Sequence, residues 1–472
     1  MRADLAPFVV DLLLALAGFG VLLAIGIVPQ RGTEMLAALG LAYLAGAAVV
    51  PIVLILLLVI GIPFTLATFA VVVLACVAAG LVGTWRRGVE PPPPSDAWWR
   101  RSWRQWPRET WVVIAFLVLF GLFALAGLIS ASQMSLTEWD AWSIWARKAQ
   151  MLTGHDSLVG EFWTSDSYSW IHLDYPIQYP VWEALHSRAG GSFQTQDLLR
   201  HVWLLLVAFV WAAAYLLRDR VRPVVWAPLL LLAAAAPGIW QQLLTGYADV
   251  PMGMYVCLGA LLLGFWLRDG DGRLLALAAV MLAAAANLKN EGLLAAGALL
   301  VVAGVIVFAR RLAWRQYAFA VAAVVAAILP WRIWTAAQGI EGDLPVGKTI
   351  TDPGYLFDRI DRVWPAFEAI CRELADQGRW LQLLPLAALM VTASLISGVG
   401  RRAAAFYLAS FALLWAGLVW SYWISPNPLA WHLATSASRV ITVLVFVCLA
   451  AALHLAGLFL AELGRRRGTS SA

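Results

Sequence analysis

Charge is scarce in this sequence. Asp, Glu, Lys and Arg together make 13% of 472 residues, against about 25% in a soluble domain. That excludes an ordinary water-soluble enzyme. Cysteine is nearly absent: Cys76, Cys257, Cys371 and Cys448 stand far apart and offer neither metal-ligand spacing nor a disulfide framework. No Gly-rich phosphate loop is present, which argues against a nucleotide-sugar donor. No small-residue cleavage site follows the first apolar run, and two more runs succeed it, so it does not read as a secretory leader. A soluble domain, a coiled coil and an internal repeat are also missing.

What is there is apolar. Hydrophobic residues make up 62% of the chain, in repeated runs of about 20, the length that crosses a bilayer as a helix. Spans are expected near 8–28, 36–59, 62–84, 111–131, 201–217, 225–244, 250–267, 274–288, 292–309, 316–336, 380–398, 403–424 and 440–461. The fold class is therefore an all-α polytopic membrane protein with about thirteen transmembrane helices. The net charge of +5 sits in short arginine-rich loops at 86–108, 218–222, 310–315, 401–402 and 465–467. Positive short loops stay in the cytoplasm, and with these spans all five fall on one side. Nucleic acid is not an expected partner; membrane lipids are. The 26 tryptophans fit in part an interfacial belt.

Four regions follow. Residues 1–85 form a three-span unit, 86–110 a basic linker containing VEPPPPSD, 111–464 the main transmembrane module, and 465–472 a cytoplasmic tail. The extracytoplasmic face receives the loops 131–200 and 337–379, the turns GYADVP (246–251) and NLKNEG (287–292), and ISPNPLAWHLATSASR (424–439).

The stretch LTEWDAWSIWARKAQ (136–150) places Glu138 and Asp140 among Trp139, Trp142 and Trp145. Residues 137–152 read as a short interfacial helix. Thr137 is its N-cap, the two acids lie in its first turn, and Trp142, Trp145 and Ala149 form an apolar stripe. Arg147 and Lys148 fall on another face. The acids are either ordinary helix caps or a catalytic pair in a surface cavity. In SYSWIHLDYPIQYPVWEAL (167–185) the Tyr-Pro pairs predict an extended loop that leads into a helix at VWEAL. His172, Asp174 and Tyr175 either line a cavity or belong to a loop fixed by its prolines.

Asp249 sits in a sharp turn, as an Asx-type cap or as a group orienting a neighbour. Lys289 and Glu291 share another turn, as a snorkelling pair or as part of a phosphate site. His432 and Arg439 precede the last span, where Arg439 meets either lipid headgroups or a substrate phosphate. In 337–379, Leu356, Ile360, Val363, Phe367, Ile370 and Leu374 recur at helical spacing. That is a surface helix, kinked at Pro365, which either covers the cavity or packs on the span ends.

Taken in order, EWDAWSIWARKA, HLDYPIQYP, GYADVP, NLKNEG and WHLATSASR resemble the motifs of bacterial integral-membrane glycosyltransferases of the GT-C superfamily. The subgroup resembled is that of protein O-mannosyltransferases and lipid A aminoarabinose transferase. The resemblance covers about residues 111–460 and not the first three spans. It implies a GT-C-like fold in a bacterial inner membrane. It also implies transfer of a sugar from a polyprenyl-phosphate donor to a glycan, lipid or protein acceptor on the extracytoplasmic face, with inversion.

By the same resemblance Asp140 is the general base, with Glu138 beside it. Lys289 and Arg439 receive the leaving phosphate with His432 as helper, and Asp249 orients a neighbour or a sugar hydroxyl. His172, Asp174, Tyr175 and Glu291 line the substrate cavity. A lysine of some relatives is replaced near Asp174. No dedicated metal ligands are expected, although Glu138 and Asp140 could hold Mg2+ or Mn2+ through waters and phosphate. The competing class is a transporter or flippase of lipid-linked substrates. Such proteins show repeats and broken helices at the bilayer midplane, whereas here the polar residues sit at span ends on one face.

Overall fold

The computed structural model describes residues 6–27, 32–88 and 107–469; the linker at 89–106 lies outside the described residues. The chain opens with α1 (Ala6–Ile25), α2 (Gly32–Val59), α3 (Leu66–Arg87) and α4 (Arg108–Gln133). A polar stretch follows: a π-helical turn (Asp140–Trp145), α5 (Ala146–Gly154), α6 (Glu161–Thr164), a 3-10 turn (Asp166–Ile171) and α7 (Gln178–Gly190). The middle of the chain is α8 (Thr195–Leu217), α9 (Pro223–Ala235), α10 (Pro237–Leu244), α11 (Asp249–Asp269), α12 (Gly272–Leu288), α13 (Asn290–Ala309) and α14 (Trp314–Ala337). A second polar stretch holds α15 (Val346–Thr351), α16 (Gly354–Phe357), α17 (Val363–Leu374) and α18 (Gln377–Trp380). Last come α19 (Leu383–Ser397), α20 (Arg401–Ile424), α21 (Leu429–Val440) and α22 (Thr442–Thr469).

No strand occurs among the described residues. Apolar runs in lipid must satisfy every backbone group internally, and a helix does so within one segment. Ten helices are long and apolar enough to cross a membrane, or up to 11 if the pair α9 and α10, bent by 51°, is one span. The chain is thus a multi-pass helical membrane protein. Each of the thirteen expected runs is helical. The shorter count arises because α12 has 17 residues and α19 has 15, against the roughly 20 that span the hydrocarbon core.

The centre of the bundle is α11, whose most apolar window is 94% buried; α12, α13, α8, α20 and α22 pack around it. The N-terminal helices do not stand apart. α2 lies against α7, α8, α12 and α14, and α1 against α7. α1 and α2 meet where side chains vanish: a Cβ on Gly18 would fall 1.6 Å from the Ala42 carbonyl oxygen, and one on Gly46 would fall 1.8 Å from that of Leu14. Without a hydrophobic force between helices in lipid, such close backbone contact supplies the association.

Three local expectations are corrected. The helix at the first acidic stretch starts at Asp140, not Thr137, and opens with π bonding, the Ala146 N–H reaching the Ala141 carbonyl. That i→i+5 turn shifts the register of all that follows. Trp142 is therefore exposed while Trp145, Lys148 and Ala149 are buried, so Lys148 faces inward and not with Arg147.

The 167–185 segment is not extended. It coils as a 3-10 turn, and α7 starts at Gln178 with Pro180 in its first turn, where a missing N–H costs nothing. Pro365 likewise occupies the first turn of α17 and begins that helix instead of kinking it. Ile360 precedes it in a 3-10 turn and is exposed, while Ile370 and Leu374 are buried. α17 packs on α20 and α21, and Arg362 Nη1 donates to the Ser425 carbonyl at 2.6 Å, so packing on the span ends is its structural role.

Candidate functional site

Helix polarity separates the two ends of the bundle. α11 runs from Asp249 at one end to Arg268 and Asp269 at the other, and α13 from Glu291 to Arg310. At the basic end, Arg220 approaches Asp269 at 3.9 Å. A cavity of about 610 Å3 there is lined by Arg268, Arg310, Arg401 and Arg402. The acids and bases singled out in the sequence gather at the opposite end.

Asp140, at the start of the π turn, accepts from Arg439 Nη1 of α21 at 2.6 Å, across 299 residues of sequence. Arg439 also donates through Nε to the Thr435 carbonyl at 3.2 Å, and its guanidinium lies 4.4 Å from the Tyr247 ring centre. The Tyr247 hydroxyl in turn donates to Glu138 Oε2 at 2.9 Å. Arg439 thus has two anchors and a face on an aromatic ring, while its Nη2 remains available. Trp139, Trp142 and Trp170 are exposed beside it, with ring centres 4.9 and 6.0 Å from Trp139. They form the amphipathic rim expected at a membrane interface.

Asp249 is the first residue of α11, not an Asx turn. It is 1% exposed and accepts from Lys289 Nζ at 2.8 Å. Lys289 is also 3.1 Å from Glu291 Oε1. Burial works against its charge, but Asp249 and Glu291 outweigh that and hold the ammonium protonated well beyond its usual range. Two carboxylates on one lysine leave little positive charge to offer a ligand.

A third group surrounds the polar loop. His172 has φ of 54°, a left-handed conformation that costs about 1–3 kcal/mol outside glycine and clusters at functional sites. Its Nδ1 bonds Asp343 Oδ2, and its ring stacks on Tyr175 at 4.9 Å. Asp174 Oδ2 accepts from Asn290 Nδ2 at 2.9 Å, and the Asp174 carbonyl accepts from Trp331 Nε1 at 3.1 Å. Lys148 Nζ donates to the His172 carbonyl at 2.5 Å.

Burial, then the neighbouring Asp343, raises the Asp174 carboxyl to about 6. Burial lowers Lys148 to about 8 against the pull of Asp174 and Asp343. Asp343 also lifts His172 above its ordinary value despite burial. The Tyr175 hydroxyl is raised well above its usual range, first by burial and then by Glu291, Asp343, Asp174 and Asp140. One phenol lies within the field of all four carboxylates, which gathers the three groups around a single polar region, here called the chamber.

His432 lies within the field of Asp343, Lys289 and Arg439, its ring centre 4.7 Å from that of Tyr422 and tilted 58° to it. Four buried polar atoms here have no partner: Asp174 Oδ1, Glu291 Oε2, Arg332 Nε and His432 Nδ1. An unmet buried polar atom costs about 1–3 kcal/mol, so the chamber is built to hold water or a polar ligand.

All ten residues expected from the sequence reach this end of the bundle. Three were missed. Lys148 was hidden by the π register, although it stands near Asp174 where the resemblance led one to miss a lysine. Asp343 follows α14 in GIEGDLP, a segment read only for its later apolar stripe. Arg332 lies inside α14 after Pro330, where its Nη2 bonds Asn290; an arginine within an apolar run is a signal by itself.

Glu138 and Asp140 are engaged by Tyr247 and Arg439 and belong to neither group of three or more metal-type ligands among the described residues. One such group is His172, Asp174 and Asp343, whose ligand atoms lie within 4.8 Å of one another; a divalent ion fits there better than on the first acidic pair. No protein-family model, curated protein or solved structure matches the chain.

Proposed function

We propose that this protein is a GT-C-type glycosyltransferase. It moves a sugar from a polyprenyl-phosphate carrier to an acceptor hydroxyl on the extracytoplasmic face of a bacterial inner membrane. The observation that carries this reading is the Asp140–Arg439 pair at 2.6 Å. It joins the residue suited to take a proton to the residue suited to hold a phosphate.

In the step, the acceptor O–H gives its proton to Asp140 as its oxygen bonds the anomeric carbon from one side. The bond from that carbon to the phosphate oxygen breaks on the other, and the phosphate leaves with the electron pair. Arg439 meets the developing negative charge with its remaining Nη2 donors. It holds Asp140 through Nη1, so base and leaving-group cation share one rigid link. Lys289 keeps Asp249 and Glu291 in place and so shapes the wall beside Arg439, with its own charge spent on that pair. Asp174, Tyr175 and His172 border the sugar space.

Six carboxylates (Glu138, Asp140, Asp174, Asp249, Glu291, Asp343) face four cations (Lys148, Lys289, Arg332, Arg439). A divalent ion at His172, Asp174 and Asp343 would correct that imbalance when an anionic donor enters. An apolar cavity of about 890 Å3 between α1, α2, α3, α12 and α14 suits a lipid tail.

The test is the wild-type protein in nanodiscs, offered a panel of polyprenyl-phosphate sugars with membrane extract as acceptor. Release of polyprenyl phosphate with one donor, and a product of opposite anomeric configuration, is the expected result. No release with any donor would turn the reading toward the transporter class.

A further inference from the structure

A second polar cluster lies away from this chamber, where two of the first three helices, which the family resemblance does not cover, meet α7 and α8. Asp11 of α1, Tyr43 of α2, His186 of α7 and His201 of α8 converge on one point. Asp11 Oδ1 is 2.7 Å from the Tyr43 hydroxyl, 3.0 Å from His186 Nε2 and 3.2 Å from His201 Nδ1. The Tyr43 hydroxyl is 2.8 Å from His201 Nδ1. Both histidines are 1% exposed.

Two features of this cluster do not suit an ordinary hydrogen-bond network. First, His186 Nδ1 lies 2.7 Å from the Trp182 carbonyl oxygen, which only accepts, so Nδ1 carries the ring proton. In the neutral ring Nε2 is then a bare lone pair pointing at another lone pair on Asp11, so a positive charge belongs between them, either a proton on Nε2 that makes an ion pair with Asp11 or a metal ion. Second, all three hydrogen bonds described for Asp11 fall on the single oxygen Oδ1, where a carboxylate oxygen has about two lone-pair sites.

A cation at the centre removes both conflicts. A histidine that ligates through one nitrogen commonly donates the other N–H to a backbone carbonyl, which is the arrangement of His186. A tetrahedral ion with bonds of about 2.0–2.1 Å sets its ligand atoms about 3.3 Å apart; the two histidine contacts to Asp11, at 3.0 and 3.2 Å, are close to that, and those of the Tyr43 hydroxyl, at 2.7 and 2.8 Å, must open by about 0.5 Å to admit the ion.

We propose that Asp11, His186 and His201, with Tyr43 as fourth donor, bind one divalent transition-metal ion of the Zn2+ class. Two imidazoles and two oxygens are the donor set of such ions and not of Ca2+ or Mg2+. The site ties α1 and α2 to α7 and α8. α7 begins three residues after Tyr175, so the ion braces the loop that carries His172, Asp174 and Tyr175. This proposal does not depend on the glycosyltransferase reading, and its test needs no activity.

The full chain, freed of any affinity tag, is purified in detergent without added metal or chelator and its metal content measured. About one equivalent of Zn2+ per chain is expected in wild type and in His155→Gln, an exposed control, with loss of most of it in His186→Gln and His201→Gln. Because those variants place a new polar group in a buried site, wild type is also stripped with a chelator and reloaded. Stripping is expected to lower the thermal midpoint and Zn2+ to restore it. Co2+ loading should give the visible bands of a tetrahedral ion, absent in His201→Gln. Metal-free wild type whose midpoint ignores Zn2+ would overturn the proposal, leaving Asp11 paired to a protonated His186. Full retention in both histidine variants would overturn it as well.

Discussion

Arg439→Gln is expected to lower the rate of polyprenyl-phosphate release by about 10²–10³-fold, the cost of deleting one preorganised donor to a developing oxyanion. Two losses combine in that figure. The leaving phosphate loses the fork that neutralises it, and Asp140 loses the contact at 2.6 Å that orients it. Tyr247 and the Thr435 carbonyl lose their partner too, so the side chain at 439 no longer has a fixed position.

Arg439→Lys restores a charge but not the geometry, because an ammonium cannot hold Asp140, Thr435 and a phosphate in one plane. Its rate should fall between those of wild type and Arg439→Gln. Turnover at saturating donor checks this, with donor affinity measured separately by quenching of tryptophan fluorescence. Equal turnover in all three proteins would mean that Arg439 neither meets the phosphate nor orients a catalytic Asp140, and serves only as a lipid-headgroup anchor.

Lys289→Met should cost about 3–5 kcal/mol of stability, the loss typical when one member of a buried ion pair is removed. Lys289 is 4% exposed and holds Asp249 and Glu291 together. Without it, two carboxylates remain near each other in a low dielectric with no cation between them. Adding Asp249→Asn to Lys289→Met takes away one of those charges and should recover part of the loss. Unfolding in mixed micelles, followed by tryptophan fluorescence, reads both steps. A change within about 0.5 kcal/mol, the range of ordinary surface substitutions, would show that water fills the chamber around Lys289 and screens the triad.

The helices were legible because a bilayer leaves the chain so few options. Each apolar run of the sequence is a helix, and the low charge content sufficed to place the protein in a membrane. Span ends were less legible, since α12 and α19 are apolar yet short. Length, not composition, separates them from full spans.

At the site, Asp140, Asp249, Lys289 and Arg439 could be named because ionisable groups beside apolar runs are few, and each must answer to a partner. Their pairing could not be read. Nothing local to LTEWDAWSIWARKAQ points to a residue 299 positions away. Lys148 was assigned to the wrong face because periodicity assumes 3.6 residues per turn, and the π turn before it breaks that count. Pro180 and Pro365 were read as breakers because sequence alone does not say whether a proline lies in the first turn of a helix or inside it. The Asp11 cluster was invisible for another reason. Its residues look like isolated polar positions in four different apolar or mixed helices, and only the crossing of α1 and α2 with α7 and α8 brings them together.

The central claim is that Asp140 is the base of a sugar transfer from a lipid phosphate. Its most direct measurement compares polyprenyl-phosphate release by wild type and Asp140→Asn, both in nanodiscs, with the donor that wild type accepts. The substitution keeps the shape and removes the charge, so a fall of about 10²–10⁴-fold is predicted, with the fold retained and donor binding changed far less than the rate. Equal release by the two proteins would contradict the account and leave Asp140 as the partner that positions Arg439.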